Sequence, residues 1–470
     1  MKKLQVTSYR LKVLTALIFS LLFNKNFAQT SSATGKKPFS LKQCIDYALQ
    51  NQYSMKNATL GEALAKAKVG EVVAAGLPQI NGNVQLSTND PLRRMFFDPT
   101  NPSIALFFPP GYKLPDEKVI AMQNFFQLGN TGDAGLSISQ LIFSSSYFIG
   151  LQAAKTYQDL ASKQTEQTKI QVIEAVTKAY YSVLINEERI ILFKKNIAQI
   201  DSLLKQTKVM FENGMVENID VKRIEVSYNN VVTETEKFSN ILLLSHALLN
   251  YQMSMPLDSE MTLTEKISNL NVETKSIASN QKPNYSNRIE VSLLETQKKL
   301  QLLDLKNNRF TYLPTLAAFG NIGEFSQSTK FDYLTSNNLW YGYAMFGLTL
   351  NVPIFDGLKQ QHKIQESKLN LKVTENNLSN MQLTVDLQIK TAELNLKNSL
   401  SALELQKKNI DLAGEVTRVT KAKFQQGVGS SLDVTTSETS LLEAQTNYYN
   451  ALYDALISKV DYDVANGNIK

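Results

Sequence analysis

The chain has 470 residues, with 49 Lys or Arg against 43 Asp or Glu, one cysteine and two histidines. Cys44 alone cannot form an internal disulfide, and with only His246 and His362 beside it there is no His/Cys metal set; HExxH, nucleophile-elbow and P-loop motifs are absent too, so no cofactor, no metal and no enzyme activity are expected. The formal charge of +6 falls to +1 when the five basic residues of an acid-free leader (Lys2, Lys3, Arg10, Lys12, Lys25) are set aside, which removes the electrostatic case for a nucleic-acid partner.

Within that leader, basic residues precede the apolar run VLTALIFSLLF (13–23), and the small residue Ala28 closes NKNFA. This is the layout of a secretory signal peptide over residues 1–28, too short to span a bilayer as a mature helix. A mature chain is expected from about Gln29, outside the cytoplasm.

From Ser40, an N-cap candidate, a helix is expected to about Val73. A strand follows at about 78–90: in QINGNVQLS, Ile80, Gly82, Val84 and Leu86 share one face, and Gln79, Asn81, Asn83, Gln85 and Ser87 the other. The Pro- and aromatic-rich stretch 91–130 reads as an extracellular loop, and a second strand is expected at 132–143. A helix over about 146–213 has neither Gly nor Pro from Leu151 to Asn213. Its apolar stripe steps by threes and fours through Ile173, Val176, Tyr180, Val183, Ile190, Phe193, Ile197, Ile200 and Leu204. The turn FENGMVENIDV (211–221) leads into a helix to about 255, and residues 256–283, bounded by Pro256 and Pro283, read as a linker.

The same order then returns: helix 284–312, strands 314–327 and 338–354, helix 357–426, turn FQQGVGSSLDV (424–434), helix 431–466. In the last strand Trp340, Phe346, Leu348, Leu350, Val352 and Ile354 face one way, and Tyr341, Tyr343, Thr349 and Asn351 the other. The long helix continues the stripe through Leu378, Met381, Val385, Ile389, Ala392, Leu396, Leu400 and Leu403. When Gly214 of the first turn is matched to Gly427 of the second, GLSISQLIF (135–143) falls on GLTLNVPIF (347–355) to within one position, whereas the Leu-Pro pairs at 77–78 and 313–314 stand further apart. Two copies of one unit, 29–255 and 284–470, are therefore expected, the first lengthened by an insertion around 91–130.

The long helices reach roughly 90–100 Å, far more than a compact domain needs. Four strands cannot close a barrel, and an open sheet facing lipid would leave backbone groups unpaired in hydrocarbon. Two copies would give eight strands with a filled interior, whereas three would give twelve and a lumen. Taken singly, the strands also suit a half-buried soluble sheet, which per segment is the commoner case. A periplasmic coiled-coil adaptor or scaffold protein without a pore is thus the competing reading.

Because SLKQCIDYALQNQYSMKNA (40–58), a Leu-Pro at each helix-to-strand passage, VPIFDG (352–357) and the paired FxxGxxxxxDV turns occur together and in this order, the whole mature chain resembles the TolC-like outer-membrane efflux proteins. The resemblance implies an α+β membrane protein in the cell outer membrane: a homotrimer with a twelve-stranded β-barrel in lipid, continued into the periplasm by a long α-helical coiled-coil barrel. It implies a passive duct for small molecules or proteins, in a tripartite efflux or type I secretion system with a periplasmic membrane-fusion adaptor and an inner-membrane pump of the RND, ABC or MFS type.

On that reading the hairpin tips, Phe211, Gly214, Met215 and Val216 in one copy and Phe424, Gly427, Val428 and Gly429 in the other, contact the adaptor. The glycines permit a left-handed backbone, and the phenylalanines are expected to pack beneath the turns. In the family's second turn, carboxylates one helical turn apart narrow the lumen. Asp433 matches the first position, whereas Thr436 stands at the second, a departure that puts a double carboxylate ring in doubt. Asp433 either lines the pore or forms a capping box with Ser430, and Asp220 has the same choice. Lys222, Arg223 and Glu225 are expected to form ion pairs between hairpins worth ~0–1 kcal/mol each, a strength suited to a gate that opens.

Overall fold

The computed structural model describes residues 37–108, 110, 111, 119–124, 126–267, 284–332 and 340–469; the expected signal peptide lies outside them. Strand β1 (Lys37–Phe39) leads into α1 (Leu41–Asn51), whose capping box joins Gln43 N to Ser40 Oγ at 3.3 Å and Ser40 N to Gln43 Oε1 at 2.9 Å. The helix expected to run unbroken from Ser40 to Val73 is divided at Gln52, which is extended (ψ 134), and α2 (Tyr53–Ala74) starts afresh. No Gly or Pro announces the break. It follows tertiary demand: Cys44 and Ala48 pack into a core with Val176, Tyr180, Val183, Leu249 and Met253, while Asn51 Nδ2 donates to the Tyr47 carbonyl at the helix end. The duplication accounts for the position, since α5 (Ile289–Phe310) equals α2 in length, 22 residues each, and both end at the same distance before their Leu-Pro pairs.

Strands β2 (Gln79–Thr88), β5 (Asn130–Phe143), β7 (Thr315–Ser328) and β8 (Trp340–Asn351) form one antiparallel sheet in the order β2-β5-β7-β8. The register puts Ile80, Val84, Leu136, Ile138, Ile322, Phe346, Leu348 and Leu350 on one face, and Asn81, Asn83, Ser137, Asn321, Thr349 and Asn351 on the other. Most of those apolar side chains are exposed, and among the described residues β2 and β8 are open edges. Between β2 and β5 the insertion forms a hairpin, β3 (Arg94–Phe97) with β4 (Ile120–Gln123), and a 3₁₀ turn at Pro102–Phe107.

From the sheet, α3 (Ser145–Glu212, 68 residues) runs out and α4 (Asn218–Gln252) folds back along it; α6 (Lys359–Gln425, 67 residues) and α7 (Ser431–Ala465) repeat the hairpin. At 1.5 Å per residue each long helix spans about 100 Å. Every residue of the two sequence stripes is buried or half-buried, because coiled-coil seams are narrow and the other faces remain wet. No helix among the described residues is long and apolar enough to cross a membrane.

The expected linker is not structureless where it is described. Met261–Leu263 (β6) pairs in parallel with β1, since the short apolar edge completes the core at Cys44; residues 268–283 lie outside the described residues. The second copy's opening helix begins at Ile289 rather than near Asn284, after a 3₁₀ turn at Tyr285–Asn287. Buried Arg288 then joins three helices: it donates to the Ala465 carbonyl and to Gln388 Oε1, both at 2.7 Å, and to Glu290 at 3.1 Å.

Candidate functional site at the hairpin tips

Both hairpins turn in the same way. Gly214 (φ +70) and Gly427 (φ +71) take left-handed backbone, with Met215 N donating to the Met210 carbonyl (2.8 Å) and Val428 N to that of Lys423 (3.0 Å), the Schellman arrangement. Met215 (74% exposed) and Val428 (77%) stand at the apices, uncovered among the described residues. Gly429 is required for another reason: a Cβ there would lie 2.8 Å from the Phe424 backbone nitrogen. Val216, its counterpart in the first turn, packs against the hairpin core.

Beneath the turns the copies differ. Phe424 is buried (3% exposed) among Ile200, Leu204, Val221, Ile224 and Val434, where the two hairpins meet. Phe211 does not pack beneath its turn as expected; it is 42% exposed.

The carboxylates differ as well. Asp220 Oδ2 accepts from Glu217 N at 3.1 Å, its Oδ1 accepts from the Ser431 hydroxyl of the other hairpin, and Arg223 lies 3.6 Å away. Asp433, at the equivalent place in the second copy, is exposed and without a hydrogen-bond or ion-pair partner among the described residues. The capping box expected for it does not form, since Ser430 Oγ accepts from Leu432 N instead, at 3.1 Å. Thr436 is exposed one turn further along. The ions expected to join hairpins pair along a single helix instead: Lys222 bonds Glu225 at 2.8 Å and Arg223 faces Asp220, because three-residue spacing puts each pair on one helix face. The Lys222 ammonium holds the Glu225 carboxyl below its ordinary range.

What joins the hairpins is a ladder of polar contacts that sequence reading missed. It climbs from Asp220–Ser431 through Gln206–Gln425 (3.3 Å), Asn196–Gln445 (3.1 Å) and Arg189–Asn450 to Lys178–Asp461 (2.6 Å). Burial alone would lower the Lys178 pKa; Asp461 and Glu174 outweigh it and raise the pKa above its ordinary value. An ion pair between half-buried Lys421 and buried Glu438 links α6 to α7. Superposing the copies with Gly214 on Gly427 would have found it, since Lys421 and Glu438 then fall on Lys208 and Glu225. Between α4 and α7 lies a groove of about 570 Å³, floored by stacked Phe193 and Phe238 and walled by Val231, Leu442, Gln445 and Glu438. No group of three or more His, Cys, Asp or Glu among the described residues is placed to hold a metal ion.

Residues 44–240 and 302–467 match the outer membrane efflux protein family. The chain is 23% identical to outer membrane protein TolC of Vibrio cholerae over 349 residues, 72% of this chain and 76% of that protein. It is 21% identical over 336 residues to nodulation protein T of Rhizobium leguminosarum, 69% of each. Its fold superposes on the CmeC outer membrane channel of Campylobacter jejuni (TM-score 0.68, 18% identity, 94% of each chain) and on the open state of the MtrE outer membrane channel of Neisseria gonorrhoeae (TM-score 0.68, 14% identity, 95% of each). The fold of the whole described chain is that of such channels, which sets the pore-less adaptor reading aside. With the duplicated hairpins, the open-edged sheet and a family match over most of its length, the chain belongs to the outer membrane efflux protein family.

Proposed function

We propose that three copies of this chain join their sheets edge to edge, β2 to β8, as a twelve-stranded barrel in the outer membrane. Their hairpins continue it across the periplasm as a passive export duct. The observation that carries this reading is the four-stranded sheet with one apolar face, one polar face and two unpaired edges, joined directly to helices about 100 Å long. In lipid such a sheet is stable only if its edges are paired, and twelve strands enclose a lumen that eight would fill.

In that assembly six hairpin tips ring the periplasmic mouth. Exposed Met215 and Val428, and the groove over Phe193 and Phe238, suit the helical hairpin of a periplasmic membrane-fusion adaptor coupled to an inner-membrane pump of the RND, ABC or MFS type. Exposed Asp433, without a partner among the described residues, and the neighbouring Thr436 line the narrowest passage, where three like charges would draw cations into the mouth. The cargo is small molecules or proteins chosen by pump and adaptor. Single-channel recording of the purified protein tests this: cation-preferring conductance is expected, with block by multivalent cations from the periplasmic side weakened by Asp433→Ala. No conductance would contradict the duct, and unchanged block would remove Asp433 from its lining.

A further inference from the structure

Among the described strand residues, the polar face of the sheet carries a single carboxylate, Asp133. It lies near the end of β5 remote from the helices, three residues after Asn130, hence about 10 Å along the strand from the outer opening. Two glycines prepare its surroundings. Gly135 on β5 is register partner to Gly323 on β7, and Gly323 to Tyr343 on β8. The tyrosine side chain crosses this bare strip: its hydroxyl would lie 2.8 Å from a Cβ on Gly323 and 3.2 Å from one on Gly135. Beyond them the hydroxyl donates to Asp133 Oδ2 at 3.2 Å. A large side chain that would otherwise project into the passage lies flat against the wall, and it fixes the one charge on that wall.

We propose that Asp133 is a selectivity-determining residue of the barrel, and that Tyr343, laid across Gly135 and Gly323, is its positioning residue. This rests on the three-copy duct: three Asp133 carboxylates then share one height below the outer opening, a second ring of negative charge at the opposite end from Asp433. Fixed charge on a narrow wall raises the local concentration of cations within a screening length, about 8–10 Å near physiological salt. The ring favours cationic cargo and slows anionic cargo in the last stage of export.

Planar-bilayer recording with hexaamminecobalt(III) added on the extracellular side tests the ring. Asp133→Asn keeps an acceptor for Tyr343 and hence the wall, while removing the charge. The half-blocking concentration is expected to rise several-fold in Asp133→Asn, to rise by a smaller factor in Tyr343→Phe, which keeps the charge but no longer fixes it, and to be unaffected on this side by Asp433→Ala. Extracellular block absent from the wild type, block unchanged in Asp133→Asn, or block in Tyr343→Phe that is either unchanged or lost as fully as in Asp133→Asn would each overturn the proposal while leaving the duct intact. A protein that forms no conducting channel would overturn the duct, and this ring with it.

Discussion

Asp220 of the first hairpin accepts a hydrogen bond from Ser431 of the second, whereas Asp433, its counterpart by duplication, has no partner among the described residues. Equivalent positions of the two hairpins thus hold a latch in one and an exposed charge in the other. Ser431→Ala leaves the half-buried Asp220 carboxylate without that donor, and the hairpin junction is expected to weaken by ~1.5–3 kcal/mol. A raised resting conductance would report it. Asp433→Asn removes no contact and is expected to change stability by less than ~0.5 kcal/mol.

The ion pairs are expected to separate by burial. Glu438→Gln leaves the half-buried Lys421 ammonium in the α6/α7 seam without its counter-charge and should cost ~1–3 kcal/mol; the double change Lys421→Met with Glu438→Leu should recover most of it. In the first copy Glu225→Gln, on an exposed pair, should leave stability nearly unchanged. Urea unfolding of the detergent-solubilised protein, followed by helical circular dichroism, compares the three.

A third pair of equivalent turns ends α4 and α7, with Ser254 (φ +55) in one and Gly467 (φ +68) in the other. A serine bears a left-handed strain that glycine does not, so Ser254→Gly is expected to stabilise by about 1 kcal/mol. Gly467→Ala should destabilise by more than that, because its Cβ would lie 2.6 Å from the Asn287 carbonyl oxygen. Melting temperatures of the two variants should move in opposite directions.

Burial pushes the Cys44 thiol up to about 12 from an ordinary 9.0, with the Glu265 carboxylate adding to the shift. Between those values the folded chain holds a proton that the unfolded chain releases, so this group's contribution is flat below pH 9 and falls as pH rises toward 12. Unfolding midpoints at pH 8, 9.5 and 11 should drop more steeply for the wild type than for Cys44→Ala. Equal slopes would show that the thiol ionises freely in the fold.

Strand faces, helix stripes and turns were legible because each is periodic or duplicated: alternation in QINGNVQLS, three-and-four spacing from Ile173 to Leu204, and Gly214 repeated as Gly427. The break at Gln52 was not, since neither Asn51 nor Gln52 is a helix breaker and only packing of Cys44 and Ala48 demands it. Nor was the hairpin ladder. Gln206, Gln425, Asn196 and Gln445 look like any wet helix face until the two hairpins are set side by side. The different fates of Phe211, exposed, and Phe424, buried in the hairpin core, likewise cannot be read from two matching turn motifs.

The three-chain barrel is tested most directly by the mass of the particle extracted from outer membranes in mild detergent, measured by light scattering with the detergent subtracted. The duct requires a heat-sensitive particle of three chains; a stable single chain, soluble without detergent, would contradict it.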